Sequence, residues 1–229
     1  MCNNYDGILR RLSLYRLKKK LTQTDVAEML GKTQSQFSKV ELGKVVLSYK
    51  DLTAMLQAGW DIDFLITGKE KVFWKSTVTE ISGLDDINTM SEVKDALVWA
   101  LGQKISKIDA GYEKDALCEY RLLKRITTQG KGEFLLANLR SIVGASQIGM
   151  SERLGVNIKK YRDLEKRNTD LDAELLAQVY ENTHCRPSMF FYQDNLEMYL
   201  LNNLWNRLDS DERDRLAIFM SYAISLRRV

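Results

Sequence analysis

Gln34, Ser35, Ser38 and Lys39 are interleaved with Phe37 and Val40. In a short helix capped by Thr33, the apolar pair lies three residues apart on one face, which leaves the four polar residues facing outwards. That face is equipped to read base edges: Gln can bond adenine N6 and N7, Lys can bond guanine O6 and N7, and a helix fits the width of the major groove. Gln23 opens a preceding segment, where its side chain and the free N–H groups of a helix start could hold a phosphate.

Other chemistries find little support. His184 is the single histidine, and Cys2, Cys118 and Cys185 form no C-x-x-C arrangement, so the usual zinc sites are excluded. The sequence has no P-loop, no G-x-G-x-x-G and no G-x-S-x-G. His184 and Cys185 are adjacent, and neighbours in a helix or strand rarely face each other. No catalytic residue, metal ligand, cofactor or small-molecule effector is indicated, and the chain reads as a protein other than an enzyme.

The elements that must position the polar face follow from local signals. Thr22 is a good N-cap for a helix burying Val26, Ala27 and Leu30, and Gly31 follows its last apolar residue, where a left-handed glycine ends a helix most easily. Thr33 opens the next helix and Gly43 ends it. Ala27 is small where the two helices would cross.

The same pattern recurs 124 residues later. Without gaps, Arg16, Gln23, Glu28, Leu30, Gly31 and Glu41 align with Arg140, Gln147, Glu152, Leu154, Gly155 and Glu165. Thr22/Ser146, Phe37/Tyr161 and Val40/Leu164 are similar pairs, and Ser151 stands at the place of Ala27. The outward positions differ: beside Gln147 and Asn157, the second copy offers Ile158, Lys159, Arg162 and Asp163. Asp163 would repel phosphate, although a carboxylate can accept from cytosine N4. Arg167 replaces the terminal glycine, and Lys159, Lys160, Arg162, Lys166 and Arg167 form a basic cluster.

T-Q-x-x-x-A-x-x-L-G, followed by S-x-x-S-K-x-E-x-G-K, an apolar helix and F-L-I-T-G, resembles the helix-turn-helix (HTH) domain of the Xre/Cro/CI phage-repressor-like regulators. The resemblance covers roughly residues 7–68. It implies a lambda-repressor-like domain of five helices, with Ser48–Ala58 and Asp61–Leu65 as the fourth and fifth. It also implies base contacts from Gln34, Ser35 and Lys39, with Thr33 and Ser38 as further candidates, and phosphate contacts from Gln23 and Lys44. In the second copy the corresponding candidates are Gln147, Asn157, Ile158, Lys159 and Arg162. In such domains the Arg and Glu at positions 16 and 41 form a partly buried pair, and Arg140 and Glu165 repeat them.

Composition agrees with a helical chain. Of 229 residues, 45% are hydrophobic, 13 are Gly and one, Pro187, is Pro. All-β sandwiches and propellers, which use Gly and Pro in frequent turns, are disfavoured. Residues 1–68 carry ten Lys and Arg against seven Asp and Glu, which equals the net +3 of the whole chain. Residues 138–192 carry eight against seven. Arg10, Arg11, Arg16, Lys18, Lys19 and Lys20 form a basic run, which taken alone reads as a solvated helix face.

The expected organisation is all-α: an N-terminal HTH domain over 1–68, linker and connecting helices over 69–137, a divergent HTH domain over 138–192, and C-terminal helices over 193–229. Ser91 is expected to cap one connecting helix, and another is expected from about Tyr112 to Ile126. Trp60, Phe73, Trp74 and Trp99 are expected to pack. The last helix carries Leu216, Phe219, Met220, Ala223 and Leu226 on one stripe, which would serve as core or as the seam of a homodimer; Tyr199, Leu200, Leu201, Leu204 and Trp205 supply a second apolar segment. Scattered cysteines, a charged N-terminus and the lack of an 18-residue apolar stretch point to a cytoplasmic protein without membrane contact.

The expected function is sequence-specific binding of double-stranded DNA by a transcriptional regulator. The alternative is a regulatory or antitoxin-like module in which one or both domains bind protein. If both copies bind DNA, one chain would imitate a dimer and read two unlike half-sites, whereas a homodimer would present up to four recognition helices.

Overall fold

The computed structural model describes residues 4–69, 94–100, 102, 114–129, 134–166 and 171–227, and among these there is no strand. The fold is all-α. The helices are α1 (Asn4–Lys18), α2 (Gln23–Met29), α3 (Gln34–Glu41), α4 (Tyr49–Gln57), α5 (Ile62–Thr67), α6 (Lys114–Gln129), α7 (Leu135–Ile142), α8 (Gln147–Arg153), α9 (Ile158–Lys166), α10 (Ala173–Thr183), α11 (Leu196–Asn206) and α12 (Ser210–Arg227). Residues 94–100 are also helical, and 3-10 turns span Pro187–Phe191 and Gln193–Asn195. Contacts divide the chain into two units: Met1–Lys71 with Glu133–Phe191, and Val72–Gly132 with Tyr192–Val229.

In the first unit, sequence chemistry fixes the helix ends. Thr22, Thr33 and Ser48 each close a capping box with Asp25, Gln36 and Asp51, so two backbone donors are satisfied reciprocally at each start. Gly31 and Gly43 take φ of +64° and +72° at the following turns, a conformation that glycine adopts without a Cβ penalty. The apolar faces bury Tyr5, Ile8 and Leu12 of α1 with Phe37, Val40, Leu52, Met55, Leu65 and Ile66. Trp60 is buried and stacks on Tyr15 with ring centroids 4.6 Å apart, as packing requires.

The second half of this unit follows the same plan at the same offset. Ser146 and Asp172 stand 124 residues after Thr22 and Ser48 and cap α8 and α10. Gly155 repeats the left-handed turn of Gly31 at φ +64°. Ala27 and Ser151 are both buried, the latter with its hydroxyl donating to the Ile148 carbonyl. α7 is shorter than α1, beginning at Leu135 and spanning 8 residues rather than 15.

The halves are fastened together. The Ala173 N–H donates to the Leu47 carbonyl at 2.9 Å. Ser188 donates to Asp63 twice, from its N–H at 2.8 Å and its hydroxyl at 2.7 Å. The Tyr49 hydroxyl donates to the Phe190 carbonyl at 2.7 Å, and its ring stacks on Phe191. Burial pushes the Asp63 carboxyl above the ordinary range, opposed by the two Ser188 hydrogen bonds and the charge of Arg186.

In the second unit α11 packs along α6. Tyr199, Leu200, Leu201, Leu204 and Trp205 are buried, as are Ala116, Leu122 and Leu123. Arg207 pairs with the fully buried Glu119 at 3.3 Å. α6 starts at Lys114 among the described residues and runs to Gln129, beyond the expected end at Ile126. One apolar expectation needs correction. Trp99 is 61% exposed, although its ring lies 6.3 Å from that of Phe219. On α12, Leu216 is half-buried and Phe219 exposed, while the described core of this unit comes from α11 and α6. Ser91, Phe73 and Trp74, and the side chains of Met220, Ala223 and Leu226, lie outside the described residues.

Candidate nucleic-acid interface

The exposed face of α3 is held from beneath by four side chains. Arg16, on α1, donates from Nε to Glu41 Oε1 at 2.8 Å and from Nη1 to the Leu21 carbonyl at 3.0 Å. Ser13 adds a hydrogen bond to the same carboxylate oxygen. Gln23 donates from Nε2 to Glu41 Oε2 at 2.7 Å, and its own Oε1 accepts from Gln34 Nε2 at 2.6 Å. The chain Arg16–Glu41–Gln23–Gln34 therefore runs from the core of α1 to the first residue of α3. Arg16 and Glu41 are 14% and 8% exposed, so the pair is largely desolvated, and removing one partner would leave a buried charge.

This network fixes what each predicted contact residue has to offer. The Gln34 amide is oriented by Gln23 and keeps one N–H and its oxygen outside this network, since an amide carries two donors. Gln23 likewise keeps one amide N–H beside the backbone donors of the first turn of α2, where an anion is favoured. Ser35 and Lys39 are exposed on the same helix and Ser38 is half-buried. Thr33 is the N-cap, its hydroxyl accepting from the Gln36 N–H, and Gln36 is committed to that cap in return. Lys44 is exposed just after the helix end.

The basic run near the N-terminus does not act as one surface. Arg11 turns inward and donates to the carbonyls of Leu65 and Ile66 at 2.8 and 2.7 Å, closing the end of α5. Arg16 is the buried pair just described, and Lys32 pairs with buried Asp51 at 2.5 Å. Arg10, Lys18, Lys19 and Lys20 remain exposed. Composition counted these charges together; helix phase separates Arg10 from Arg11 by 100° and so sends them to different surroundings.

The second half rebuilds the frame with different contacts at the surface. Arg140 donates to Glu165 at 2.6 Å and to the Ala145 carbonyl at 3.3 Å, and Gln147 donates to Glu165 at 2.6 Å. Tyr161, at the place of Phe37, adds a hydroxyl bond to Glu165 at 2.7 Å. Burial alone would raise the Glu165 pKa, but the bonds from Arg140, Tyr161 and Gln147 hold the carboxyl below its usual range. Burial and the adjacent carboxylate push Tyr161 upward. The Gln147 oxygen accepts from Arg162 Nε at 3.3 Å, because Ile158 occupies the place of Gln34 and has no donor. Asn157 is the cap here, accepting from the Lys160 N–H. Lys159, Lys160, Arg162, Asp163 and Lys166 are exposed, and Ile158 is half-buried.

Among the described residues no cluster of His, Cys, Asp and Glu could hold a metal ion, and no helix is long and apolar enough to cross a membrane. The helix-turn-helix family model HTH_3 matches residues 12–58, the segment that carries α2, the turn and α3. No curated protein matches the chain, and no solved structure does. Residues 12–58 are thus similar to helix-turn-helix domains of the Xre-like type.

Proposed function

We propose that this chain is a cytoplasmic, sequence-specific transcriptional regulator that binds double-stranded DNA by laying α3 in the major groove. The observation that carries this reading is the exposed face of Gln34, Ser35 and Lys39, with Gln34 oriented through Gln23 and Glu41 from Arg16. Preorganising a base-reading amide lowers the ordering penalty of binding and holds it against wrong bases. Lys44 and the start of α2 contact phosphate, which sets register without reading sequence. Residues 134–191 act as a second, divergent helix-turn-helix, supported by the matching caps, turn and Arg–Glu–Gln network. Its candidate contacts are Gln147, Asn157, Ile158, Lys159 and Arg162.

The test is selection of bound duplexes from a random library, followed by affinity measurements against salt. Neutralised phosphates make log K fall with log salt at about 0.9 per contact. Lys39→Ala is expected to lose discrimination at one base pair, about 1–3 kcal/mol, while Lys44→Ala weakens all sequences alike and reduces the salt slope by about 1. Equal, salt-insensitive affinity of the parent for selected and random DNA would reject the reading in favour of a protein-binding module.

A further inference from the structure

The joint between the halves has a symmetry that the order of the chain conceals. Counting by the offset of 124, Ser188 corresponds to residue 64, and it bonds Asp63. Ala173 corresponds to Tyr49, and its N–H bonds the Leu47 carbonyl. The turn Pro187–Phe191 corresponds to residues 63–67, so α5 meets its own counterpart. α10, the counterpart of α4, packs on α5. In exchange, Tyr49 at the start of α4 meets Phe190 and Phe191 in the counterpart of α5. An element that meets its own counterpart, with Tyr49 of α4 and the body of α10 each reaching the α5 position of the other half, approximates an isologous interface, although the contact of α1 with α10 is not matched to the same extent between α4 and α7. Here both sides of it belong to one chain. Two recognition helices carried by one such unit would suit half-sites about 34 Å apart along one face of the duplex.

The two faces would not read the same bases. Gln34 presents an amide, whereas Ile158 at the corresponding position presents only carbon. Among base edges in the major groove, the thymine methyl is the feature that an aliphatic side chain matches. Lys39 is answered by Asp163, which accepts from cytosine rather than donating to guanine. Arg162, drawn to Gln147, places a guanidinium where the first half has Ser38.

We infer that a single chain occupies one asymmetric double-stranded DNA site, with α3 on one half and α9 on the other and Ile158 set against a thymine methyl group. The inference rests on the DNA-binding reading above.

It is tested with the full chain on a duplex selected by that chain. Light scattering is expected to give one chain per duplex, and footprinting to give two protected segments about one helical turn apart. Replacing thymines one at a time with uracil removes single methyl groups. One replacement in one half is expected to lower affinity about fourfold, the effect of uncovering one buried methyl-sized group. Ile158→Ala should abolish that sensitivity and leave the preferences of the other half intact, while Lys39→Ala does the reverse. Two chains per duplex, or a single protected segment indifferent to Ile158→Ala, would overturn the inference and leave the reading of α3 standing. Affinity for the selected duplex no better than for random DNA overturns both.

Discussion

Residues 4–69 and 134–191 share a frame and differ at its surface. In each, an arginine of the first helix, a glutamate of the third and a glutamine opening the second are linked by hydrogen bonds at the same relative positions. The frame is buried and its geometry admits few substitutes, because a guanidinium taken from water needs its carboxylate. The outward side chains answer to no such constraint, and there Gln34, Ser35 and Lys39 become Ile158, Lys159 and Asp163. Shared positions thus report on packing, and divergent ones report on what each face touches.

The comparison is tested most severely by cutting the frame. Glu41→Ala and Glu165→Ala should each lower stability by about 2–4 kcal/mol, since each strands a largely buried arginine. Chemical denaturation of both variants measures this; an unchanged midpoint in either would show that its network is ornamental. Severing the joint comes next. Ser188→Ala removes one of two donors to the fully buried Asp63 and should lower stability by about 1–3 kcal/mol. Asp63 binds its proton more tightly folded than unfolded, so its contribution is full below pH 3.8 and is lost as pH rises through the higher folded value. Losing the Ser188 hydroxyl should carry that decline to still higher pH.

Smaller changes convert one half towards the other. Tyr161→Phe gives the second half the side chain of Phe37 and should lower stability by about 1 kcal/mol, the usual worth of one hydrogen bond. Glu165 is held low in the folded state, so its contribution is full above pH 4.5 and lost as pH falls through the folded value. Tyr161→Phe should move that loss to higher pH, which an acid titration followed by circular dichroism would show. Gly149→Asp would complete for Ser146 the capping box that Thr22 makes with Asp25, and is expected to stabilise by about 0.5–1 kcal/mol. The nearest atom to a Cβ at Gly149 is Ser146 Oγ at 3.4 Å, an ordinary van der Waals contact; a lower melting temperature would contradict the parallel.

What could be read from the sequence was local. Thr22, Gly31, Thr33 and Gly43 mark the two-helix motif because caps and left-handed turns act within a few residues. The Arg–Glu pairs were legible through their repetition. The inward turn of Arg11 was not, because a count of charge carries no helix phase. Neither was the bond between Ser188 and Asp63, since no short-range pattern identifies two groups 125 positions apart. Trp99 shows a related limit: apolar periodicity tells which residues share a face but not whether anything covers it.

That separation of 125 positions also sets a schedule for synthesis. Chains emerge N-terminus first at about 5–20 residues per second, so α5 leaves the ribosome roughly 6–25 s before Ser188 follows. Throughout that interval the Asp63 carboxyl, which ends up buried and bonded to Ser188, faces solvent or a chaperone in place of its eventual partner. The first half must hold its own shape unaided while it waits, and its three capping boxes are the kind of short-range order that makes this feasible.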